Sequence, residues 1–534
     1  MRAKCSDDRI WIVSMNSVDD GKPNLISGVI KIALLAVSLL LVFLYYYANC
    51  HSRIFLTVFG ALMLGVIILI ALVLLKRVTL ESTKAFAAVL AVSGAFFIFA
   101  FTPGSVPDET FHYWSSYYYS NIILGGDIDY EDAMLEMRQS DASLCITNEL
   151  SADMYSKTLS TLGETSDCSQ SAMVHVSEGS LSPYQNPFYI KLPSVLGICL
   201  GRLLGLDGVV TFYLGRIFNF ILFAVLAIAA VKLIPVGKTG LKLICLLPMT
   251  LHVCASYSYD AGTISLSFLA IALLLKLWDR ENQATNQLLL LIVILEALLV
   301  PCKLVYCASL LLGLFAPRRC FASNKQMVMF KCGLCVGVLL CFTLTKLTSV
   351  AAMATGPTSG LDQRGDEFGH FYTIESALAD PVATVGFFLG SMLLTGDFYA
   401  QTLIGGSLGW FQGTIAAPYY VVFAYYAILF LSFIKCDDEE DYCIDGSLRM
   451  VCLIASLLAW IAVMASMYLG WTFDTEPVIL GIQGRYFLPV LPLFMLACRF
   501  SSLSFKVDNA NLVIGAAIVL NCLYMMRTVS IVLQ

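Results

Sequence analysis

Charge is what this chain has least of. Only 13% of its 534 residues are Asp, Glu, Lys or Arg, about half the roughly 25% of an ordinary soluble domain. So few charges cannot cover a water-facing surface of this size, which excludes a soluble globular enzyme. The alternating ten-residue strands of a membrane β-barrel are missing as well. The first 24 residues are polar and mixed in charge, unlike a cleavable signal peptide. A Gly-rich phosphate loop of Walker type is absent, and no nucleic-acid partner is expected. Zinc–thiolate company is lacking too. Most of the 18 cysteines lie in apolar runs, where Cys behaves as a small hydrophobe. Cys436 and Cys443 have no nearby His, and Cys332 and Cys335 fall within an apolar run. Cys145 and Cys168 share one long loop and pair as a disulfide only if that loop faces an oxidising compartment.

What is present is apolar. Hydrophobic residues make up 58% of the chain, in runs such as Ile32 to Tyr47 and Ile54 to Leu75. A helix needs about 20 apolar residues to cross the hydrocarbon core. The expected fold is therefore an all-α polytopic membrane protein of about 13 transmembrane helices. The spans read at 26–47, 54–75, 84–101, 210–231, 239–256, 259–277, 286–302, 304–316, 327–347, 416–435, 448–469, 480–497 and 510–529.

Basic residues set the orientation, because cytoplasmic loops carry the excess Lys and Arg. The head with Arg2, Lys4, Arg9 and Lys22 reads as cytoplasmic, as do the loops around Lys76 and Lys84, Lys232 to Lys242, and Arg318 to Lys331. Residues 102–187 hold 13 acidic residues against only Arg138 and Lys157, which places them outside. The pattern alternates correctly only if 186–206 does not cross. Pro187, Lys191, Pro193 and Arg202 interrupt that stretch, so it reads as a helix lying in the outer interface. Residues 381–396 are read the same way. The acidic loop 437–441 falls inside, but acidic residues weigh little in the rule. The domain reading is a cytoplasmic head and added hairpin at 1–83, then a membrane domain at 84–534 with outer regions 102–208 and 348–415.

Polar residues converge on the outer level of this topology. Asp108, Glu109 and His112 open the first outer loop; Tyr184 and Lys191 close it. Arg216, Asp260, Lys303, Trp410, Gln483, Arg485 and Tyr486 reach the same level from five other segments. Each has an ordinary reading. Asp260 suits a helix N-cap, Lys303 a snorkelling side chain, Arg485 an interface anchor, His112 a hydrogen-bonded interfacial side chain, and Trp410 an aromatic belt residue. Asp108-Glu109 is harder to dismiss, because a charge near hydrocarbon costs about 2.5–3.5 kcal/mol even on the lenient insertion scale. Carboxylates in an outer cavity can act as general base to a hydroxyl or hold a divalent cation. Arg and Lys at the same depth suit a phosphate. The combination suggests a lipid-linked phosphosugar donor.

Pro107-Asp108-Glu109-x-x-His112, Tyr184-x-x-Pro187, Arg216-x-x-Asn219, Leu247-Pro248-Met249 running to Ser258-Tyr259-Asp260, Lys303-x-x-Tyr306, Gly405-x-x-Leu408-Gly409-Trp410 and Gly484-Arg485-Tyr486-Phe487-x-x-Pro489 follow in order. Together, over about residues 84–500, they resemble a bacterial membrane family called domain of unknown function 2142. That family in turn resembles the GT-C-fold glycosyltransferases, which use polyprenyl-phosphate sugars at the outer membrane face. The resemblance implies a GT-C-like helical bundle in the bacterial cytoplasmic membrane, with the N-terminus cytoplasmic. It implies a catalytic set of Asp108, Glu109 and His112, with Asp108 and Glu109 as the option for Mg or Mn. Arg485, Lys303, Arg216 and Lys191 become the donor-phosphate set. Tyr184, Asp260, Trp410, Gln483 and Tyr486 become the substrate contacts. The implied partners are a polyprenyl-phosphate sugar donor, a cell-envelope glycan or lipid-linked acceptor, and membrane lipid. Two departures stand out: the acidic motif follows the third span rather than the first, and no large soluble outer domain follows the last. A transporter or flippase for a lipid-linked glycan is the alternative, with a polysaccharide polymerase or ligase third. Against transport stand the lack of an internal repeat and of charges deep within spans other than Glu296 and Arg216.

Overall fold

The computed structural model describes residues 11–12, 25–126, 134–162, 173–177, 186–279, 283–345, 370–406, 408–409, 417–436, 444–499, 503–505 and 509–534. Helix dominates them, as it must where no water is at hand to satisfy backbone N–H and C=O groups. In chain order, strand β1 (Trp11–Ile12) precedes helices α1 (Leu25–Cys50), α2 (Arg53–Leu74), α3 (Thr83–Ala100) and α4 (Glu109–Leu124). A cap follows, made of β2 (Met134–Arg138), α5 (Gln139–Ala142), α6 (Ala152–Thr161), β3 (Met173–Ser177) and α7 (Phe188–Leu203). Then come α8 (Gly208–Leu233), α9 (Lys238–Leu246), α10 (Pro248–Cys254), α11 (Asp260–Leu277), α12 (Asn286–Cys302), α13 (Leu310–Leu314) and α14 (Asn324–Thr345). The last part holds α15 (Ile374–Ala379), α16 (Pro381–Ile404), α17 (Tyr419–Ser432), β4 (Lys435–Cys436), α18 (Gly446–Trp471), α19 (Leu491–Ala497), β5 (Leu503–Phe505) and α20 (Asn509–Val532). Short 3-10 turns at Leu304–Ser309 and Gly484–Val490 lead into α13 and α19.

Among the described residues nine helices are long and apolar enough to cross a membrane: α1, α2, α3, α8, α11, α14, α16, α18 and α20. Four shorter apolar helical segments join them, at 286–302, 304–314, 419–432 and 484–497. The set differs from the thirteen expected spans at two places. The expected span 239–256 is broken, because Pro248 forces Leu247 to an extended ψ of 140° and splits it into α9 and α10. Residues 381–396, expected as a short interface segment, belong to a 24-residue helix. That helix has the length to cross. Yet Phe387 and Phe388 near its start pack tilted against Tyr468 of α18, and near its end Thr402 Oγ1 accepts from the Gly484 N–H. Both regions it touches belong to the same end of the bundle.

Hydrogen bonds define the two ends. At one, Lys242 donates to the Glu81 carbonyl and Asn511 accepts from the Leu80 N–H. Nearby Arg319 meets Asp445, and β1 and β4 pair with β5 in parallel. At the other end Asn219 donates to the carbonyls of Ser256 and Ser258, between α10 and α11. The basic loops around Lys76 and around Lys242 thus share one end, so α7 adds no crossing between them. Instead α7 doubles back along the first half of α8. Gly197 and Gly201, one helical turn apart, make this possible. A Cβ on Gly197 would lie 2.6 Å from the Leu214 carbonyl oxygen, the close backbone approach that small residues four apart permit. Helix α4, the antiparallel β2–β3 pair, α5, α6, α7 and the start of α8 cap this end. The core centres on α11, buried at every residue except Lys276 and packed against α8 and α12.

Candidate functional site

The neighbouring acids Asp108 and Glu109 face different surroundings. Asp108 has a left-handed backbone, φ 61°, a conformation uncommon for any residue but Gly. It stands at the N-cap position of α4 without making a cap hydrogen bond, and its side chain is 62% exposed. Glu109 begins the helix and is wholly buried. Its oxygens meet Arg216 Nε at 2.8 Å and Nη2 at 2.5 Å, and the Tyr257 N–H donates to Oε1 at 3.2 Å.

Arg216 spends its remaining donors on backbone. It reaches the carbonyls of Ile98 (2.9 Å), Phe101 (2.5 Å) and Thr102 (3.1 Å). Ile98 belongs to the last turn of α3, Phe101 is its C-cap residue and Thr102 follows, the region where carbonyls lose their helical partners. All five guanidinium N–H groups are thereby used. A cation at a helix C-terminus also suits the helix dipole. Glu109 and Arg216 therefore form a joint between α3, α4 and α8, where the sequence had suggested a catalytic carboxylate and a phosphate-binding cation. The two acids are not brought together as a divalent-cation pair either, because both Glu109 oxygens are engaged. Among the described residues no group of three or more His, Cys, Asp or Glu gathers that could hold a metal ion.

A second set does converge at this end, on four segments far apart in sequence. Arg485, in the 3-10 turn, is 7% exposed and points Nη2 at Asp108 Oδ2, 3.3 Å away. Its Nε is buried without a hydrogen-bond partner. Tyr486 presents its ring to two cations, with the Arg485 guanidinium 5.5 Å and Lys303 Nζ 4.6 Å from its centroid. Lys303, at the turn after α12, pairs with Asp260 Oδ1 at 3.0 Å. The Tyr306 hydroxyl donates to the Tyr486 carbonyl at 2.8 Å and ties the two turns together. The Tyr259 ring lies 5.1 Å from Lys303 Nζ on one side and 5.1 Å from the His112 ring on the other.

His112 is buried, and its Nδ1 has no hydrogen-bond partner. Burial first, then the positive charge of Lys191, push its pKa down to about 4, against the pull of Asp108 and Asp260. It is therefore a neutral imidazole at neutral pH. Lys191 on α7 donates to Ser115 and lies 5.7 Å from the Phe111 ring centroid and 5.8 Å from that of Tyr119. Burial lowers its pKa to about 7, so its charge changes near neutrality.

Asp108, His112, Asp260, Lys303, Arg485 and Tyr486 are thus brought together, and Lys191 stands on the His112 side. Gln483 is half-buried, and its carbonyl accepts the Tyr486 N–H. Tyr184 and Trp410 lie outside the described residues, as does Cys168; Cys145 is buried, and its thiol donates to the Thr110 carbonyl at 3.8 Å. Three neighbours were not among the expected site residues, although Tyr259 and Tyr306 stand in the motifs that carry the family resemblance. Tyr259 and Tyr306 are aromatic residues in a chain rich in them, and their motif places beside Asp260 and Lys303 were the signal that could have added them. His252 sits within an apolar run, with Phe101 4.4 Å from its ring and the Gly409 N–H donating to its Nε2 at 3.1 Å.

A family model described as a predicted membrane protein, DUF2142, matches residues 90–494. The chain belongs to that family. The match takes in every residue of the converging set and leaves out α1, α2 and α20. No curated protein and no solved structure matches the chain.

Proposed function

We propose that this protein is a membrane glycosyltransferase. It moves a sugar from a polyprenyl-phosphate donor to a cell-envelope glycan or lipid-linked acceptor, at the outer face of the bacterial cytoplasmic membrane. One observation carries the reading: an exposed carboxylate in a strained backbone, Asp108, stands against a buried cation that retains an unused donor, Arg485. Strained non-Gly residues persist where the surroundings hold them, and they cluster at functional sites.

In this reading Asp108 takes the proton of an acceptor hydroxyl. The hydroxyl oxygen bonds to the anomeric carbon while the bond from that carbon to the phosphate oxygen breaks, its electron pair leaving with the lipid phosphate. Arg485 and Lys303 hold the phosphate and offset its growing charge. At rest these two cations are paired with Asp108 and Asp260. A donor phosphate draws them away and leaves Asp108 free to act as base, so the base is unmasked only when donor is bound. His112, neutral and buried, orients the acceptor by hydrogen bonding through its unpartnered nitrogen. A single displacement inverts the anomeric configuration.

The test is transfer of radiolabelled sugar from polyprenyl-phosphate donors in proteoliposomes. Asp108→Asn should insert and melt like wild type and transfer at most a hundredth as much, the usual size of a lost general base. Wild-type rates in that variant would overturn the assignment. Failure of wild type with every donor, while a lipid-linked glycan still crosses the bilayer, would replace the transferase by a flippase.

A further inference from the structure

Helix α2 packs against α1 and α20 but scarcely touches α3, although α3 follows it in the chain. The gap is an apolar cavity of about 520 Å³, within the roughly 300–1,000 Å³ of small-molecule sites. Small side chains open it. Ala61 and Gly65 on α2 and Ala88 on α3 line it together with Leu69, Val92 and Ile518. All three bordering helices are long and apolar enough to cross a membrane, so a hydrocarbon chain is the matter available to fill the space.

The cavity has direction. Along α3 it runs from Ala85 to Phe97, about 18 Å at 1.5 Å per residue. One leaflet of hydrocarbon is about 15 Å deep, half of the roughly 30 Å core. Toward the candidate site the rings of Phe59 on α2 and Phe96 on α3 meet edge to face at 5.5 Å and bridge the two helices. At the opposite end the lining includes Val78 and Leu80 of the loop between α2 and α3. That loop is basic. Lys76, Arg77 and Lys84 are exposed there, and Glu81 is the one acid among residues 76–84. Lys242 holds the loop through the Glu81 carbonyl, and Asn511 holds it through the Leu80 N–H.

We infer that this cleft binds one anionic phospholipid of the leaflet opposite the candidate site. One acyl chain lies between α2, α3 and α20, and the phosphate sits against Lys76, Arg77 and Lys84. Charge complementarity selects an anionic headgroup. Position selects a phospholipid over the sugar donor, because the donor's phosphate belongs at the other end, beyond the Phe59–Phe96 bridge. Most of the lining lies outside residues 90–494, so the site falls largely outside the region that the family match covers. The inference is independent of the proposed transferase activity.

The full-length protein would be reconstituted in nanodiscs containing phosphatidylglycerol with a photoreactive diazirine on its acyl chain, and the labelled peptides mapped. Label should concentrate in residues 61–69 and 85–97 and be displaced by unlabelled phosphatidylglycerol better than by phosphatidylcholine. Each of Lys76→Ser, Arg77→Ser and Lys84→Ser should weaken competition about fivefold, the factor for one basic residue near an anionic surface. Ala88→Phe should abolish label in these segments. Equal displacement by both lipids, label spread over all lipid-facing helices, or equal capture of a photoreactive polyprenyl phosphate would each overturn the inference. The wild-type label map decides the matter even where Ala88→Phe fails to fold.

Discussion

Glu109→Gln leaves Arg216 buried with its charge uncompensated. Breaking a buried pair in this way costs about 3–5 kcal/mol, so the variant should melt well below wild type or fail to accumulate. Asp108→Asn, on an exposed side chain, should leave the melting temperature within a degree or two. Thermal unfolding of the two purified variants side by side checks this; equal melting would undo the division of labour between the two acids. Titration separates two further residues. The folded pKa of Lys191 is about 7 against an ordinary 10.5, so the folded chain binds fewer protons than the unfolded one between those values. Stability therefore rises with pH across that window, while the ammonium charge is present in the folded state only below about pH 7. Transfer that uses this charge should fall as pH rises through 7, and Lys191→Met should remove that limb. The folded pKa of His112, about 4 against an ordinary 6.5, makes stability fall as pH drops from about 6.5 to 4, and His112→Gln should flatten that decline. Adjacency in sequence suggested that Asp108 and Glu109 act as a pair. The positive φ at Asp108 that turns them apart leaves no mark in an Asp codon as it would in a Gly, and the partner of Glu109 lies 107 residues away.

The 3-10 turn that carries Arg485 is set by one close contact. A Cβ on Gly484 would lie 2.0 Å from the Tyr399 carbonyl oxygen and 2.3 Å from the Leu403 nitrogen of α16. Both obstacles are backbone, so Gly484→Ala must push the turn away from α16 and carry Arg485 off Asp108. Donor affinity should fall with a smaller loss of stability, read as a raised KM beside the melting temperature; an unchanged KM would show that the turn gives way elsewhere. Long helices were legible because apolar runs of about 20 residues have one common outcome in a membrane. The small elements were not. The β2–β3 pair hides in a polar loop because five-residue strands carry little alternation. The break at Pro248 was legible in principle, since the residue before a proline avoids the helical region. Helix α16 was underread because Gly386, Gly390, Gly396 and Asp397 dilute its apolar run.

At the scale of the whole molecule, hydrogen bonds assign several of the described loops to one end or the other. A membrane-impermeant thiol reagent on intact cells should label Asp108→Cys and Asp380→Cys alike above the native thiol background, and leave Lys76→Cys untouched until the membrane is opened. Labelling of Asp380→Cys only after opening would make α16 a crossing helix. The joint between Glu109 and Arg216 has one more consequence, in time rather than in space. Ribosomes add about 5–20 residues per second, so the 107 residues between the two partners take about 5–20 s to make. Over that interval the first long loop is made and released while the guanidinium that will lock it has not been synthesised. A chain truncated before α8 should remain frozen in that interval, its first loop open to added protease, whereas a chain extended through residue 233 should resist.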